Sequence, residues 1–73
     1  MTTTKKISLD NGLTFVDAGE AIAEIYEYNL WGAVVSAMDD ETCERAHEAV
    51  APCDELTFLR AYLEIAESDL VVG

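Results

Sequence analysis

Fifteen Asp and Glu against four Lys and Arg give this 73-residue chain a formal net charge of −11. That balance excludes a direct grip on nucleic acid, whose phosphates the protein would repel, and it exceeds the magnitude of about 2–8 that solubility asks of a small domain. The length predicts one domain, 1–73, with a thin core, because a chain of ~60 residues buries only ~60% of its unfolded surface. A hydrophobic content of 51% argues against disorder despite the charge.

Residues 1–5 are polar and read as flexible. Ile7, Leu9, Leu13 and Phe15 alternate with Ser8, Asp10 and Thr14 around Asn11-Gly12. Both turn residues accept the positive φ of a type I′ turn, so the pattern predicts a β-hairpin with strands at 6–10 and 13–16. Asp17 followed by Glu20 makes a box-like helix start. The helix from Ala18 to Tyr28 places Ala18, Ala21, Ile22 and Ile25 on one side, and Asn29 closes it. Leu30 to Met38 is nearly all apolar; if helical it reads as a buried central helix, with a strand as the alternative because of Gly32 and Val34-Val35. Asp39 or Asp40 caps a third helix over 40–51, ended by Pro52. Asp54 caps a fourth, from Glu55 to about Glu67, with Leu56, Leu59, Tyr62, Leu63 and Ala66 as its inner stripe. Leu70-Val71-Val72 is a β-prone tail able to join the hairpin. The predicted fold is α+β: an N-terminal β-hairpin, with a C-terminal strand allowed, packed against three to four short helices.

The acids recur at helical spacing. Glu20, Glu24 and Glu27 fall opposite the Ile22/Ile25 side of the first helix. Glu41, Glu44 and Glu48 form a row on the third helix, headed by Asp39 and Asp40, and Glu64 and Glu67 line the outer side of the fourth. At ~1.5 Å rise per residue, successive carboxylates in such a row stand ~4.5–6 Å apart along the axis. Duplex DNA presents one phosphate per ~3.4 Å per strand, so these rows imitate a phosphate track without its bases. The plain reading is a solvated helix face. Against it, few cations offset the acids, and like charges at i, i+4 cost roughly 0.2–0.5 kcal/mol per pair. A face that lowers stability points to a basic partner.

Other constellations are weaker. Cys43, His47 and Cys53 are the one metal-like set, but paired C-x₂₋₄-C spacing is missing and a fourth ligand would have to be Asp54 or Glu44. Free thiols and a histidine near the core edge are the preferred reading. There is one histidine, no Gly-rich phosphate loop and no G-x-S-x-G elbow, so no enzyme, cofactor or metal is expected. Trp31, Tyr26 and Tyr28 gather at the end of the first helix; Trp31 reads as core, and Tyr28 as the exposed member of the group. No 18-residue apolar run predicts a membrane span, and no signal-peptide pattern opens the chain, so the expected location is cytoplasmic.

A small acidic protein without a catalytic set resembles the anti-CRISPR proteins of phages and mobile elements. Asp10-Asn11-Gly12, Met38-Asp39-Asp40-Glu41 and the closing pattern Leu56…Phe58-Leu59…Tyr62-Leu63-Glu64-Ile65…Asp69-Leu70-Val71-Val72-Gly73 carry the likeness. The resemblance implies binding to a Cas subunit of a type I surveillance complex (Cascade), with type I-C favoured, in the bacterial host cytoplasm. Residues expected at the contact are Glu20, Glu24, Glu27, Asp39, Asp40, Glu41, Glu44, Glu48 and Tyr28, acting as a DNA mimic. The alternative is a small adaptor that binds a host protein through an apolar patch around Trp31. Acyl carrier proteins are excluded, because their Asp-Ser-Leu is replaced here by Ser68-Asp69-Leu70 at the far end. Monomer and homodimer both remain open.

Overall fold

The computed structural model describes residues 4–52 and 54–72. In chain order these form β1 (Ile7–Ser8), α1 (Ala18–Glu27), α2 (Trp31–Ala37), α3 (Asp40–Val50), α4 (Glu55–Ile65) and β2 (Leu70–Val71). The α+β class predicted from the sequence is the one observed. β1 and β2 pair in parallel, Ile7 with Leu70 and Ser8 with Val71, so the two ends of the chain close the fold. The expectation of flexibility over residues 1–5 lies outside the described residues for 1–3; the Lys5 N–H donates to the Leu63 carbonyl at 3.0 Å.

The Asn-Gly turn forms as read, with φ of +61° at Asn11 and +91° at Gly12. The flanking strands are much shorter than 6–10 and 13–16. One antiparallel bridge, Ile7 with Val16, is all that remains of the second arm. Side chains have taken over the ladder. The Ser8 hydroxyl accepts from the Gly12 N–H at 2.8 Å and donates to the Asp10 carboxylate at 2.7 Å, which also accepts from the Thr14 N–H at 2.8 Å. Such local side-chain bonds offer the backbone an alternative to sheet pairing. Leu13 is consequently 86% exposed rather than facing a sheet interior.

Helix starts follow the aspartates. Asp17, Asp39 and Asp54 each accept a backbone N–H from the residue three positions on, satisfying a donor the helix cannot. α1 ends at Glu27 with Tyr28 as its C-cap, and Asn29 next takes a left-handed φ of +55°. α4 stops at Ile65, two residues short of Glu67, as Ala66 turns extended.

The expectation of a buried central helix at 30–38 is corrected. The segment is helical, but within α2 only Val34 is buried. Seven residues make two turns, so one side chain reaches the core while Val35 stays 41% exposed. The centre is α4, which packs against both α3 and α1. Phe58, Leu59, Ala61, Tyr62 and Leu63 are all buried there. Leu56 is only half-buried, and Phe58 and Ala61 join the stripe that spacing alone had given to Leu56, Leu59, Tyr62, Leu63 and Ala66. Ile7, Ile25, Val34, Leu59 and Leu63 are the largest apolar side chains fully sealed from water.

Candidate functional site

Every acid expected at the contact is exposed: Glu20, Glu24 and Glu27 on α1, and Asp39, Asp40, Glu41, Glu44 and Glu48 at and along α3. The apolar residues of each helix explain this. Ala18, Ala21, Ile22 and Ile25 turn α1 toward the core, and Ala46 does so for α3, which leaves the carboxylates on the water side. Among the described residues one ion pair forms, Arg45 with Glu41 at 3.0 Å, and both partners are largely exposed. It neutralises a single position in the α3 row. Among the described residues no other acid of either row forms an ion pair.

The two rows do not merge by helix contact, because α4 packs on both helices while α1 and α3 make little or no contact with each other. Each row instead meets acids from elsewhere in the chain. Asp39 and Glu41 share a groove of about 660 Å³ with Glu67 and Asp69, from the segment that leads into β2. Glu20 and Glu24 border a smaller hollow of about 340 Å³ with Asp10, from the Asn-Gly turn. Asp10, Glu67 and Asp69 were not assigned to the contact from sequence. Nothing local marks them; tertiary packing alone brings them beside the rows. Asp10 is further set apart by the hydroxyl of Ser8 and the Thr14 N–H, which hold its carboxyl below the ordinary range.

Tyr28 is 65% exposed at the end of α1, as read. Tyr26, also exposed, donates its hydroxyl to Glu55 at 2.6 Å. That bond lowers the pKa of Glu55 and raises that of the phenol. Trp31 is half-buried and meets Phe58 edge-on, ring centroids 6.3 Å apart. Of the metal-like set, Cys53 lies outside the described residues. Cys43 is half-buried, and desolvation, reinforced by Asp40 and Glu44, pushes its thiol pKa up. His47 packs on Phe58 with centroids 4.5 Å apart, turning toward an aromatic ring. Among the described residues no cluster of three metal-ligating side chains forms, and no helix is long and apolar enough to cross a membrane.

The structure is a small α+β scaffold with exposed acidic faces on α1 and α3. The family follows from comparison: residues 22–65, more than half of the chain, match the family model of anti-CRISPR protein AcrIC5. The chain belongs to this family of type I-C anti-CRISPR proteins. Its class is that of inhibitors acting on Cas components. The matched stretch runs from within α1 to the end of α4 and so contains all of α3 and the Glu24 and Glu27 part of the α1 row, while Glu20 precedes it. Comparison with curated proteins and with solved structures gives no match.

Proposed function

We propose that this protein inhibits a type I-C surveillance complex by occupying the basic surface of a Cas subunit that would otherwise receive target DNA. The observation that carries the reading is the exposure of the α1 and α3 carboxylates, with Arg45 the one described cation paired into them. In this reading Glu20, Glu24 and Glu27 form one contact row. Asp39, Asp40, Glu41, Glu44 and Glu48 form the other, and Tyr28 borders the first. A Lys- and Arg-lined channel accepts carboxylates for the reason it accepts phosphates: the charges match and bound counterions are released. The action is steric and electrostatic competition without turnover, exerted in the cytoplasm of the phage-infected host.

Charge reversal tests it. Glu24→Lys, Glu44→Lys and Glu48→Lys in one chain reverse three exposed acids on the water side of α1 and α3 and leave the buried residues of both helices untouched, so the fold is retained. Binding of target DNA by the purified complex should recover in the presence of this variant, while wild-type inhibition should weaken steeply with added salt. Undiminished inhibition by the triple variant, with an unchanged circular dichroism spectrum, removes the mimicry.

A further inference from the structure

The acid rows leave one concave surface unused. Trp31 and Val35 of α2, Cys43 and His47 of α3, Pro52 and Phe58 line an open groove of about 460 Å³. Its floor is Phe58, 5% exposed, against which both the Trp31 and His47 rings pack. Its wall is the outward side of α2, the short helix that gives only Val34 to the core. Asp54 and Glu55 also line the groove, and the Glu55 carboxylate accepts a hydrogen bond from the Tyr26 hydroxyl. The result is a largely apolar cleft with two carboxylates in its lining.

We propose that this groove receives an aliphatic side chain flanked by Lys or Arg, presented by the Cas subunit itself, so that the inhibitor is anchored by an apolar contact as well as by charge. The inference rests on the reading that a basic Cas surface is the partner, and it adds what the acid rows lack. Carboxylates alone suit any basic surface, whereas a shaped apolar cleft selects one side chain at one position. Charge decides the occupant. A second copy of this chain would bring another −11 to a groove already lined by Asp54 and Glu55, and like charges across an interface oppose association. A basic segment turns the same carboxylates into an attraction.

Binding to the immobilised type I-C complex, measured at about 0.15 M and about 1 M salt, separates the two contributions, because the screening length falls from about 8 Å to about 3 Å. Val35→Lys places a cation in the groove at an exposed position. Ser36→Lys makes the same charge change one residue along, on an exposed side chain outside the lining. At high salt V35K should bind about tenfold more weakly than wild type, the loss expected for one buried aliphatic contact, with S36K close to wild type. Val35→Gln gives an uncharged version should V35K melt early. Equal binding by V35K and S36K, or no wild-type binding left at high salt, overturns the anchor. The outcomes are independent of the mimicry: full inhibition by the Glu24, Glu44 and Glu48 reversal would end that reading while a V35K defect still located the groove.

Discussion

The hydroxyl of Tyr62 ties the central helix to the start of the longer acid row, and removing it gives a measurable cost. Tyr62 is 4% exposed, and its Oη accepts the backbone N–H of Asp39 at 2.8 Å. Asp39 is the N-cap of α3, its carboxylate accepting from the Thr42 N–H and Oγ1, each at 3.1 Å. Tyr62→Phe keeps the ring and its packing, so no cavity opens, and only the hydrogen bond is lost. Such a bond contributes about 0.5–1.5 kcal/mol net, rising toward about 3 when the abandoned donor cannot reach water. The Asp39 amide is partly buried, which places the cost at about 1 kcal/mol. For a domain of this size that lowers the melting midpoint by roughly 4–8 °C. Thermal unfolding followed by circular dichroism reads it directly. Tyr26→Phe is the internal contrast, since its hydroxyl makes a solvent-exposed bond to Glu55 and should shift the midpoint less. An unchanged midpoint in Y62F, or a larger drop in Y26F, would refute the reasoning.

Two further outcomes follow from the carboxylates. In Tyr26→Phe the pKa of Glu55, now held low chiefly by the phenol's hydrogen bond, should rise toward the ordinary carboxylate value, read by NMR titration of its side-chain carbonyl carbon; no rise would mean that the bond does not persist in solution. Asp54 has its folded pKa lowered, first by the Thr57 side chain and then by the Thr57 N–H, so its contribution is present above the unfolded value near ~3.9 and is lost as pH falls through the folded one. Asp54→Asn still caps α4 but carries no charge. Its stability deficit against wild type in urea should therefore be open at neutral pH and close below about pH 4. Because acid relieves self-repulsion in both chains alike, only that difference is read, and a gap of constant size would show that the charge of Asp54 contributes nothing.

Local chemistry was legible in the sequence. Asp17, Asp39 and Asp54 cap the helices they precede, Asn11-Gly12 turns with positive φ, and Ile22 and Ile25 point inward so that Glu20, Glu24 and Glu27 point out. Each depends on neighbours within about one helical turn, which spacing encodes. The strand lengths were not legible, because Ser8 and Asp10 spend their side chains on the backbone groups a ladder would use, and alternation of apolar residues carries no trace of that. Nor was the burial order of the helices. LWGAVVSAM is the most apolar run in the chain, yet α2 lies at the edge and the more polar α4 takes the centre. Composition ranks segments by what they could bury, whereas packing decides which face finds a partner, and a helix of two turns offers the core little. The sequence by itself therefore determined the charge, the helix starts and which acids face water. The joining of Asp39 and Glu41 with Glu67 and Asp69, and the groove over Phe58, come from elements distant along the chain. Only tertiary structure could decide them, since contacts at long sequence separation are set by how whole faces fit and leave no periodic signal in the chain.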